Sequence, residues 1–127
     1  MVAVNEKKKE CHHFSPEDFL TKIPNKDGER FVECLTRGQL RIDLYQPENE
    51  DLQTPHTRDE CYFIVEGAGK FVMGDATVDF KVGDMLFVPA GVVHRFEDFG
   101  KTLTAWVIFY GPEGGDLITN LKGEDDA

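Results

Sequence analysis

The chain has 127 residues, 40% hydrophobic and 30% charged, enough for one domain whose core buries roughly two-thirds of the unfolded surface. Fourteen Lys and Arg against 24 Asp and Glu leave a formal charge of −10, which repels phosphate backbones and anionic headgroups and so excludes nucleic acid and membrane surfaces as partners. No apolar run reaches the roughly 18 residues of a spanning helix, and no secretory leader pattern opens the chain. Three cysteines in unrelated contexts suit a reducing compartment, so a cytoplasmic location is expected.

Residues 1–13 read as a flexible segment. Its Cys11-His12-His13 tract looks metal-like, but three adjacent side chains cannot surround one ion, and the tract is read as incidental. A short helix is expected from Pro16 until Pro24 stops it, with Ser15 as N-cap and Phe14 stapled to Phe19. Residues 29–36 and 39–46 read as a hairpin turning at Arg37-Gly38. In its second arm Leu40, Ile42 and Leu44 alternate with Arg41, Asp43 and Tyr45, and either Arg41 and Asp43 or their neighbours could face inward.

After a polar loop, short runs at 61–65, 70–73, 77–82, 85–88 and 92–96 are punctuated by glycines. Many short strands with almost no helix predict an all-β sandwich or barrel. The last strand, 103–110, is apolar on both faces. One face fills the core; the other is covered by the N-terminal helix or the tail, or by a second copy in a homodimer, the reading preferred here. One domain over 14–112 and a tail over 113–127 follow.

Two histidines are placed for chemistry. His56 and Glu60 are four apart, a spacing that turns both to one face of an extended strand, and His94 follows a Pro-x-Gly turn. Two imidazoles and a carboxylate with free positions beside them suit a non-haem metal. The same spacing also occurs on solvated strand edges, and it does not choose between the two readings.

The order Gly83, five residues, Pro89, one residue, Gly91, two residues, His94 resembles the second signature of the cupin family, with Asp98 where an Asn usually stands. His56, Glu60 and Gly67 resemble the later part of the first signature. The resemblance covers roughly residues 30 to 110 and implies a cupin fold, a double-stranded β-helix or jelly-roll barrel. It implies one divalent transition metal (Fe, Zn, Mn or Ni) on His56, Glu60 and His94. A further histidine common in the family is replaced by Thr54. Gln53 is the better oxygen donor and strand parity favours Thr54; either could join the ion or support its ligands, and water is expected in the fourth place.

Parity nominates Tyr62, Ile64, Val92 and Phe96 as pocket walls and points Cys61 away from the metal; Trp106, on the two-sided apolar strand, is a further wall candidate that could line the cavity or the interface. The implied activity is a metal-dependent oxygenase or isomerase acting on a small molecule. The alternative is a non-enzymatic ligand-binding or sensor protein.

Overall fold

In a computed structural model that describes residues 10–123, regular structure opens with a single helical turn, α1 (Glu17–Leu20). Most of the expected flexible segment and the end of the tail lie outside these residues. The helix ends sooner than Pro24 requires. Lys22 and Ile23 donate to carbonyls only three residues back, at Phe19 and Leu20, and the tightened turn does not propagate. Ser15 does not cap it through its side chain; instead the Asp18 carboxylate accepts the Ser15 N–H at 2.8 Å. The staple forms, with the Phe14 and Phe19 rings edge to face at 5.3 Å.

Eight strands follow: β1 (Phe31–Arg37), β2 (Leu40–Tyr45), β3 (Asp59–Glu66), β4 (Gly69–Met73), β5 (Ala76–Phe80), β6 (Met85–Val88), β7 (His94–Glu97) and β8 (Thr104–Tyr110). They form a five-stranded sheet, in the order β1-β2-β8-β3-β6, and a three-stranded sheet, β5-β4-β7, with every pair antiparallel. This is the all-β barrel of two antiparallel sheets expected of the sequence. Gly69 lets β4 run close beside β7, because a Cβ there would stand 2.7 Å from the Glu97 carbonyl oxygen.

The register sorts the interior into rows. Tyr45, Ala105 and Ile64 align across β2, β8 and β3; Asp43, Val107, Tyr62 and Leu86 form the next row, with β6 added; Arg41, Phe109, Glu60 and Val88 form the third. Ile64, Ala105, Val107 and Leu86 pack with Phe71, Phe80 and Phe96 of the facing sheet into one buried core. Each of the larger side chains contributes roughly 1.5–3 kcal/mol by leaving water. Successive rows therefore pass from an apolar end to a polar end, and the charged residues collect there.

The alternate residues point outward. Leu44, Trp106, Phe63 and Met85 make one outer row, and Ile42, Ile108, Cys61 and Phe87 another. Phe19 of α1 meets the Trp106 ring edge-on at 6.4 Å, so the helix covers part of this face. Phe63, Met85 and Phe87 remain 40%, 57% and 47% exposed. The tail is pinned at its start: the Gly114 N–H donates to the Thr57 carbonyl and the Asp116 N–H to the Asp59 carboxylate.

Candidate metal centre

His56 and His94 lie 38 positions apart, yet one turn holds both. Gly91 sits at φ +79°, a left-handed conformation that suits glycine, and its N–H donates to the His56 carbonyl at 2.7 Å. The neighbouring Ala90 N–H donates to Asp59 Oδ1 at 2.9 Å. The loop carrying His56 is thereby fastened to the turn that launches β7, whose first residue is His94.

Glu60 enters from β3 as one of its buried residues. While His94 is neutral, neither of its carboxylate oxygens receives a hydrogen bond, although both are shielded from water. Glu60 Oε1 stands 2.7 Å from His94 Nε2, and Glu60 Oε2 stands 3.7 Å from His56 Nε2. His94 Nδ1 lies 2.9 Å from the Val92 carbonyl, which can only accept, so the ring proton sits on Nδ1. In the neutral ring the Nε2 lone pair then faces a carboxylate oxygen. Two acceptors at that distance require a cation between them, a proton or a metal.

The donor set fits a metal. The three candidate ligand atoms all lie within 4.8 Å of one another. Ligand atoms about 2.1 Å from an ion are about 3.0 Å apart at right angles and about 3.4 Å apart in a tetrahedron. The 2.7 and 3.7 Å spacings bracket those values.

Burial holds the His56 imidazole below its ordinary range, outweighing the opposite pull of Glu60. Burial pulls His94 the same way, but hydrogen bonding to Glu60 and to the Val92 carbonyl prevails and raises it.

A cavity of about 590 Å³ opens in front of His56, walled by Arg41, Asp43, Tyr45, Gln53, Val107 and Phe109 among others. His56 is 33% exposed toward the outside, whereas Glu60 and His94 are sealed behind it at 1% and 0%. The Phe109 ring packs edge-on against His56 at 5.0 Å.

The residues expected as pocket walls do not line this cavity. Tyr62 is fully buried and reaches the cluster through its hydroxyl, 3.0 Å from His94 Nε2. Ile64 and Phe96 belong to the core, and Trp106 lies on the outer face against Phe19. Strand parity fixes which face a side chain takes; it carries no information about depth along the barrel. The parity argument for Thr54 also lapses, since residues 51–58 form no strand and Thr54 is exposed on the cavity rim. Gln53 turns inward instead, its Oε1 3.2 Å from His56 Nε2 and 2.7 Å from the Tyr62 hydroxyl that donates to it.

Arg41 and Asp43 face inward. The guanidinium donates to both oxygens of Asp43, at 2.9 and 3.1 Å, and lies 5.9 Å from the rings of Phe31 and of Phe109. Burial raises the Asp43 carboxyl above its usual range, with Arg41 opposing. Asp51 went unnoticed in the sequence. An acidic residue in a polar loop carries no distinguishing signal there.

A small antiparallel barrel with a His, Glu and His cluster at its polar end is the architecture of a cupin. The cupin-domain family model matches residues 42–110, over half of the chain, and the chain belongs to the cupin family. An uncharacterized protein of Streptomyces coelicolor is 33% identical over 85 residues, covering 65% of this chain and 81% of that protein. Acireductone dioxygenase 1 of Vitis vinifera is 27% identical over 110 residues, covering 76% of this chain; the chain spans only 58% of that enzyme's length. A crystal structure of a protein from Neisseria meningitidis matches with a TM-score of 0.61 at 20% identity, covering 79% of this chain and 100% of that one. That likeness concerns the fold alone. Among the described residues no helix is long and apolar enough to cross a membrane.

Proposed function

We propose that this cupin holds one divalent transition metal on His56, Glu60 and His94 and acts through it on a small molecule admitted to the neighbouring cavity, by dioxygenase-type chemistry. The observation that carries the reading is the Glu60 carboxylate, buried with no donor to either oxygen while His94 is neutral, and 2.7 Å from that histidine's Nε2. A buried, unpaired carboxylate is costly, and a bound cation removes the cost. The ion, when bound, supplies a Lewis-acidic centre, and a redox-active one if it is iron.

The remaining groups are the chain's own. Glu60 and His94 would grip the ion from the interior and His56 from the mouth. The Arg41–Asp43 pair offers donors and acceptors to an oxygen-rich guest, and Val107 and Phe109 give it an apolar wall. Similarity to an enzyme named acireductone dioxygenase supports enediols as the first substrates to try.

Dioxygen uptake by iron-loaded protein with a panel of enediols and catechols tests this. Uptake matched to consumption of one panel member is expected. Full iron occupancy with neither uptake nor consumption would overturn turnover and leave a ligand-binding protein.

A further inference from the structure

The Asp51 carboxylate accepts four hydrogen bonds. Its Oδ1 takes the Tyr45 hydroxyl at 2.5 Å and the Gln53 backbone N–H at 3.1 Å. Its Oδ2 takes the Phe96 backbone N–H at 2.8 Å and the Gln53 side-chain Nε2 at 2.9 Å. Burial pushes the Tyr45 phenol far above its usual range, which keeps its proton in place for this bond.

The consequence falls on Gln53. An amide has a donor end and an acceptor end, and a carboxylate can receive only the donor. Asp51 therefore fixes the NH2 toward itself and the oxygen away. That oxygen stands 3.2 Å from His56 Nε2, and the buried Tyr62 hydroxyl donates to it at 2.7 Å. The 3.2 Å spacing is that of two neighbouring ligands on one ion.

We infer that Gln53 Oε1 is a fourth, neutral oxygen ligand of the metal, and that Asp51 is the positioning residue that aims it. Tyr45 and the Phe96 amide in turn hold Asp51, so the aim is set by β2 and β7 at once. This rests on the metal reading above and replaces the water expected in the fourth place. An amide oxygen is a weaker donor than an imidazole nitrogen and leaves the ion more Lewis-acidic toward an oxygen-rich guest.

Cobalt(II) binding to the full chain tests it, read as affinity against a chromophoric chelator and as the visible d–d spectrum, with the thermal melt of each metal-free variant as a fold control. Gln53→Ala should weaken cobalt roughly tenfold to a hundredfold and change the spectrum. Asp51→Asn should weaken it similarly, because the asparagine can donate its own NH2 to the glutamine oxygen and let the glutamine NH2 turn inward. The double variant Asp51→Asn, Gln53→Glu should restore affinity to the parent value or better, since a carboxylate has no wrong end to present.

If the parent binds cobalt and His94→Ala abolishes it, yet Gln53→Ala leaves affinity and spectrum unchanged, the fourth-ligand inference fails and the three-residue site stands. Failure of the double variant to recover while melting like the parent would remove the role of Asp51. A parent that binds no cobalt would overturn the metal reading itself, and this inference with it.

Discussion

The Gly91 N–H donates to the His56 carbonyl at 2.7 Å, so the turn ahead of one histidine fastens the loop that carries the other. The geometry of the site depends on that turn as much as on the ligands.

Gly91→Ala should lower stability by about 1–2 kcal/mol. A Cβ there meets nothing within 4 Å, so the cost comes from the positive φ and not from a clash. Denaturant unfolding of the metal-free protein measures it, and an unchanged midpoint would contradict the strain.

The two site histidines should titrate on opposite sides of the ordinary value of 6.5 in metal-free protein: His94 above it and His56 below it. For His94 the folded value is raised, so its pairing with Glu60 is fully present below 6.5 and is lost as pH rises through the raised value. For His56 the folded value is lowered, so stability falls as pH drops from 6.5 through it. Proton NMR of the ring signals, assigned with single His→Gln variants, gives the order. The reverse order would contradict the electrostatic account.

Cys34 should alkylate slowly. Burial first, and then Asp43, push its thiol from 9.0 up to about 11. At neutral pH that makes the thiolate about a hundredfold scarcer than in an unperturbed cysteine. The rate at Cys34, followed by mass spectrometry of peptides, should climb about tenfold per pH unit up to about pH 11. A plateau near pH 9 would contradict the shift.

The exposed apolar patch on the outer face predicts self-association. A chain with a formal charge of −10 repels its own copies except where the surface is apolar, and Phe63, Met85 and Phe87 form such a patch on adjacent strands. Light scattering should give twice the chain mass of 14.4 kDa. Phe63→Lys with Phe87→Lys should give the single mass and leave the barrel folded. A parent already at 14.4 kDa would contradict the dimer.

The strands were legible because period-two alternation and glycine punctuation both reflect the barrel's geometry. The Gly83 to His94 spacing was informative for the same reason, since it encodes two turns, each with a left-handed glycine, Gly83 at φ +93° and Gly91 at φ +79°. Asp98, where the family usually has Asn, adopts φ +53°, a conformation Asp and Asn tolerate better than other side chains, so the departure keeps the turn. Trp106 stays open between cavity and outer face in the sequence because both faces of β8 are apolar and composition cannot say which one is inside. Gln53 and Thr54 could not be separated either. Their directions depend on a bend and on a hydrogen bond from Phe96 to Asp51 across the fold, and neither leaves a periodic trace.

The central claim is that two imidazoles and one carboxylate share a metal ion. Elemental analysis of the untagged protein, beside His56→Ala, Glu60→Gln and His94→Ala, tests it most directly. The account predicts close to one equivalent of transition metal in the parent and little in any of the three variants; full metal content in all three variants would contradict it.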